Sequence, residues 1–117
     1  MTASPPLKID ESALDLLAGK VSNEVLHGFT VPDFGNAIGA SKYDFQLIVV
    51  AVCGLSKGSE AFFDLRKAII FRNALGVVLE ELGVEEFHTR TGHDFEEGKA
   101  ILQQLSSFID IQPVGRD

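Results

Sequence analysis

The chain has 117 residues, 45% hydrophobic and 23% charged, and ten Lys and Arg against seventeen Asp and Glu leave a formal charge of -7. This balance suits one globular domain and excludes a wholly disordered chain, and no apolar run approaches the roughly 18 residues a membrane span needs. A domain of this size buries about two-thirds of its unfolded surface, so a core forms without a metal or disulfide staple.

Residues 1–8 read as a flexible N-terminal arm, because Pro5-Pro6 blocks a helix and the segment offers little to bury. Residues 9–112 read as a single helical domain and 113–117 as a short C-terminal tail. Asp10 is placed to cap the first helix, with Ile9 and Leu14 at the two positions of a hydrophobic staple. That helix carries Ala13, Leu14, Leu17, Val21, Val25 and Leu26 and is expected to end at Gly28.

Thr30-Val31-Pro32-Asp33 supplies a cap, an early-turn proline and an acidic third residue for a short helix through Ile38, stopped by Gly39. Ser41 with Asp44 repeats the capping pattern and opens a segment to Cys53, with Gly54 just past its end. Leu47 to Cys53 is apolar and rich in β-branched residues, so periodicity leaves helix and buried strand both open. The cap and the glycine favour helix.

Ser59 opens the longest periodic stretch, with Phe62, Leu65, Ile69, Phe71, Leu75, Val78 and Leu82 at helical spacing before Gly83. Residues 84–93 read as a polar loop. Asp94 with Glu97 caps a final helix whose Gly98, Ile101, Leu102, Leu105, Phe108 and Ile109 share one stripe, ended by Pro113. The expected fold is all-α, a compact orthogonal bundle of five or six helices.

The single cysteine cannot form an intramolecular disulfide, and Cys53 in its apolar run reads as a buried small hydrophobe. The N-terminal residues lack the basic region and apolar core of a signal peptide, so a reducing, cytoplasmic setting is expected.

The segment Phe34-Gly35-Asn36-Ala37-Ile38-Gly39-Ala40-Ser41-Lys42-Tyr43-Asp44-Phe45-Gln46-Leu47-Ile48 carries the most specific local pattern. Gly35 is read as allowing two helices to approach, Gly39 as supplying positive φ in a sharp turn, Ser41 as a cap, and Phe45 and Ile48 as core anchors. This resembles the helix-turn-helix of phage-repressor-type DNA-binding proteins. The resemblance implies a dimeric DNA-binding regulator in which Ser41, Lys42, Tyr43 and Gln46 enter the major groove. Residues 56–72, with Lys57, Arg66, Lys67 and Arg72, would meet phosphates.

His88, His93 and Asp94 are metal-competent residue types, but His-x4-His in a loop is not a recognised ligand spacing. The loop reads as a solvated turn, and no metal or cofactor is assigned. No Gly-x-Ser-x-Gly or phosphate loop is present and Cys53 has no sequence-evident activating neighbour, so a non-enzymatic protein is expected.

From Glu80 to Glu97 the chain carries Glu80, Glu81, Glu85, Glu86, Asp94, Glu96 and Glu97 against Arg90 alone. Such a patch accelerates docking onto a basic partner, and Glu80-Glu81 at an expected helix C-terminus oppose the macrodipole. Phe62-Phe63 cannot share one helix face, and with the Leu47 to Cys53 run they point to cover by another element or a second copy, a homodimer. The leading expectation is an inhibitor-, immunity- or antitoxin-like regulator of a basic protein, with Glu80, Glu81, Glu85, Glu86, Glu96 and Glu97 in contact. A helix-turn-helix regulator is second, and a metal enzyme centred on the histidine loop third.

Overall fold

The computed structural model describes residues 5–55 and 61–111. The chain is predominantly helical: α1 (Glu11–Leu14), α2 (Phe34–Ile38), α3 (Lys42–Leu55), α4 (Leu65–Thr91) and α5 (Phe95–Asp110), with short strands β1 (Leu7–Ile9) and β2 (Ala61–Phe63). Among the described residues no helix is long and apolar enough to cross a membrane.

The Asp10 carboxylate accepts a hydrogen bond from the Ala13 N–H at 2.8 Å, as a capping aspartate should. Ile9 is buried and Leu14 half-buried, which places both staple residues against the core. Beyond Leu14 the helix runs on through the π-helical segments Asp15–Val21 and Glu24–Gly28, joined through right-handed backbone at Ser22 and Asn23. Buried Ser22 donates its hydroxyl to the Leu17 carbonyl at 2.8 Å, closing a gap the wider turns open.

Leu7 and Lys8, expected in the arm, lie in β1, which pairs antiparallel with β2 in the register Leu7 to Phe63, Lys8 to Phe62 and Ile9 to Ala61. This pairing also corrects the expected start of the central helix. Phe62 and Phe63 are strand residues pointing to opposite faces, Phe63 fully buried and Phe62 56% exposed, which resolves the conflict they pose on a helix. Helix α4 starts instead after Asp64, whose carboxylate accepts from the Lys67 N–H at 2.9 Å. Ser59 and Pro113 lie outside the described residues.

Other expectations are corrected near α2 and α3. Asp33, not Thr30, precedes α2 and takes left-handed backbone at φ 52°, holding the Asn36 amide at 2.7 Å. Gly39 ends α2 at φ 97°, where a side chain would be strained. A Cβ built on Gly35 meets nothing within 4 Å, so this glycine serves no close helix approach. The Ser41 hydroxyl accepts from the Asp44 N–H at 3.1 Å, and the apolar run that follows is helix, continuing past Gly54 to Leu55. Cys53 is exposed rather than buried, because α3 presents that side of its apolar run outward.

Helix α4 is the central element, packing most extensively on α5 and next on the π-helical segment Asp15–Val21. Its first run of helix ends before Gly83, as the sequence predicts. That glycine breaks the helix locally at φ 75°, ψ -176°, and residues expected as a polar loop resume helix to Thr91. The resumption buries Phe87 and Thr91, and Thr91 Oγ1 donates to the Phe87 carbonyl at 2.7 Å. Gly98 lets α5 approach this region, since a Cβ there would come within 2.8 Å of Phe87 Cζ. Ile101, Leu105 and Phe108 are buried as the stripe predicts. Phe34, Phe45, Phe71 and Phe63 form a chain of ring contacts at 5.8, 5.8 and 5.0 Å that ties α2, α3, α4 and β2 together.

Candidate functional site

Helix α3 turns Tyr43, Leu47 and Val50 to solvent at i, i+4 and i+7, with exposures of 69%, 52% and 68%. Phe45 and Val52 face the core and Ile48 is half-buried against it, so the outer stripe is what helical periodicity leaves uncovered. Leu26 and Val49 complete a shallow groove of about 350 Å³ with Tyr43, Gln46, Leu47 and Val50. Water gains nothing from contact with this surface, and a partner's apolar side chains would displace it favourably.

The residues expected to contact DNA are partly gathered here. Lys42, Tyr43 and Gln46 are exposed on α3, and Ser41 is engaged as its cap. Arg66 is exposed at the start of α4, while Lys67 pairs with Asp64 at 3.6 Å. Lys57 lies outside the described residues. After Gln46 the outward face of α3 is apolar, carrying Leu47 and Val50 where a reading helix would need donors and acceptors for base edges.

The acidic residues divide into two groups. Glu80, Glu81, Glu85 and Glu86 are exposed on α4 on either side of the Gly83 break, and Glu96 is exposed in the first turn of α5. A groove of about 590 Å³ brings Glu85 and Glu96 together with Val84, His88, Asp94 and Phe95. Glu97 is turned elsewhere. Its Oε2 accepts from the Ser12 hydroxyl at 2.9 Å and lies 3.0 Å from His93 Nδ1, tying α5 to the first helix.

The two histidines do not converge. His88 Nδ1 lies 3.2 Å from Asp94 Oδ1, whereas His93 sits between Glu97 and Asp15, with Nε2 2.9 Å from Asp15 Oδ2. Among the described residues no group of three or more His, Cys, Asp or Glu is placed to hold a metal ion. Burial of the His93 ring disfavours its charge, but hydrogen bonds and charge from Asp15 and Glu97 outweigh that and raise its pKa above the usual histidine value. The His93 hydrogen bond is the main reason the Glu97 carboxyl is held below its usual range, against burial and with help from Ser12.

Sequence reasoning left Asp15, Ser12 and Glu24 out of any site. Glu24 is buried and its Oε1 lies 3.0 Å from Arg90 Nη2. The one available signal was a glutamate on an otherwise apolar helix face, which demands a cation from elsewhere in the chain.

No protein-family model matches the chain, and comparison with curated proteins and with solved structures yields no match.

Proposed function

We propose that the protein acts without catalysis, by binding another protein, with the outer face of α3 as the contact surface and the acidic residues on α4 and α5 guiding the approach of a basic partner. The observation that carries this reading is the stripe of Tyr43, Leu47 and Val50, a run of large apolar side chains with no cover from the rest of the described chain. Exposed Glu80, Glu81, Glu85, Glu86 and Glu96 supply the long-range field in a chain of charge -7. In this reading the scaffold is a compact orthogonal bundle of five or six helices in a cytoplasmic protein. A second copy is one occupant of the α3 face, giving a homodimer.

The second reading is DNA binding. It is supported by α2, the Gly39 turn and α3 in sequence, with Lys42, Tyr43 and Gln46 exposed. Its weakness is the apolar stripe that follows Gln46.

Affinity capture from native extract, run in parallel with the Leu47→Asp/Val50→Asp variant, separates the two. The expected result is a basic protein, or a second copy, retained by wild type and lost by the variant, with no salt-dependent gel shift on mixed DNA. A DNA complex weakened by Lys42→Ala and Gln46→Ala would overturn the protein-partner reading.

A further inference from the structure

A broad concavity, open to solvent, lies away from α3, between α2, α4 and α5, with a volume of about 680 Å³. Small-molecule sites commonly span about 300–1,000 Å³ and combine an apolar lining with a few fixed polar groups. Here Ala37, Val77, Phe95 and Leu102, contributed by three helices, stay half-exposed toward the cleft instead of closing on one another. The Phe95 ring packs edge-on against buried Phe87 at 5.9 Å and 87°, which anchors that wall to the core.

The polar groups are also held. Arg72 Nε donates to Asn73 Oδ1 at 3.2 Å, and Asn73 Nδ2 donates in turn to the Ile38 carbonyl at 3.0 Å. The side chain is therefore positioned through its inner nitrogen, while its terminal nitrogens face no carboxylate among the described residues. A guanidinium fork with no carboxylate partner among the described residues, set beside an apolar wall, matches a carboxylate carried on an apolar body.

Farther along the cleft the charges offset each other. Glu80 stands eight residues from Arg72, about 12 Å along the helix, and Lys99 lies 5.9 Å over the Phe95 ring and 3.8 Å from Glu96. A second acidic group on the ligand would meet Glu80 there, so one negative charge placed at the Arg72 end fits best.

We propose that this cleft binds a small organic acid, an apolar body bearing a single carboxylate, with Arg72 receiving the carboxylate and Val77, Phe95 and Leu102 receiving the body. The proposal is independent of the α3 reading, because no α3 residue lines the cleft.

Gly76 makes a clean test. It lies in the cleft, and a Cβ built on it meets nothing within 4 Å, so a side chain there has room to start into the cleft. The full chain, labelled with nitrogen-15, is titrated by NMR with 2-naphthoate and with its neutral counterpart 2-naphthalenemethanol. Expected are saturable shifts centred on Asn73, Gly76 and Leu102, with the acid binding about tenfold tighter than the alcohol, the usual scale of a charge-assisted contact. Arg72→Gln should bring the acid down to the affinity of the alcohol, and Gly76→Phe should abolish both. The proposal is overturned by equal affinities in wild type, by an unchanged acid affinity in Arg72→Gln, or by shifts centred elsewhere. Arg72→Gln changes a half-exposed side chain, so it keeps the test decisive even if Gly76→Phe fails to fold.

Discussion

Arg90 reaches from the end of α4 to the first helix, setting its Nη2 3.0 Å from Oε1 of the buried Glu24 and 3.3 Å from the Gly28 carbonyl. Among the described residues no hydrogen-bond donor meets Glu24 Oε1 in good geometry, so the guanidinium charge is what offsets the burial of this carboxylate. The same cation satisfies a carbonyl at the end of the π-helical segment Glu24–Gly28, where the helix dipole favours positive charge.

Replacing Arg90 with methionine leaves a buried carboxylate uncompensated. Removing one partner of a buried pair costs about 3–5 kcal/mol, and because the Arg90 side chain is 35% exposed the expected loss is discounted to about 1–3 kcal/mol. Adding Glu24→Gln should restore part of it, a coupling that a double-mutant cycle in urea measures directly. Additive losses, with the double variant losing the sum of the two singles, would show that the pair carries no coupling.

Gly28→Ala attacks the same arrangement from the backbone side. An added Cβ would strike Glu24 Oε1 and lie 3.2 Å from Arg90 Nη2, so the ion pair must shift to admit it. A thermal melt should show destabilisation on the wild-type background, and a smaller effect when Glu24→Gln and Arg90→Met are already present.

The link between the first helix and α5 through His93 makes stability depend on pH. His93 has a raised pKa in the folded chain, so its contribution is fully present below its unfolded value of 6.5 and is lost as pH rises through the raised value. Glu97 has a lowered pKa, so its contribution is present above its unfolded value of 4.5 and is lost as pH falls through the lowered value. Urea midpoints should therefore be highest between these limits and decline as the histidine deprotonates. In His93→Gln the decline on the alkaline side should vanish, and its persistence would place the titrating group elsewhere.

Gly98→Ala tests the close approach of α5 to α4. The new methyl would come within 2.8 Å of Phe87 Cζ and 3.1 Å of Leu79 Cδ2, so the expected cost is about 1–3 kcal/mol despite alanine's better helix propensity. A more stable variant would show that the two helices separate freely. Leu105→Ala, at a fully buried position on the same helix, should cost about 2–5 kcal/mol by chemical denaturation.

The acidic surface is tested through its salt dependence. Reversing Glu85, Glu86 and Glu96 to lysine should slow association with a basic partner severalfold at low ionic strength, with the difference fading as salt rises. Leu47→Asp should act mainly on dissociation and at all salt concentrations, because it opposes contact and not approach. Stopped-flow rates with the captured partner distinguish the two effects.

The capping residues and several helix ends are legible in the chain because they depend on neighbours within about one turn. Asp10 with Ala13, Ser41 with Asp44, the left-handed Gly39 and the apolar stripe of α5 all belong to this class. Gly83 shows where local reasoning stops. A glycine with positive φ ends a helix or kinks it, and only the burial of Phe87 against Gly98 decides that the chain resumes. The pairing of Leu7–Ile9 with Ala61–Phe63 is similarly hidden, because each strand is three residues long and its partner lies more than fifty residues away.

The candidate sites follow the same division. That the Leu47 to Cys53 run is apolar is plain from its composition, but which side faces water depends on where Phe45 and Val52 find the core. His93 meets Asp15 across 78 residues and Arg90 meets the Gly28 carbonyl across 62, separations at which sequence patterns carry no geometric information. Charge and residue type limit which partners each group needs, and the packing of α4 against its neighbours chooses among them.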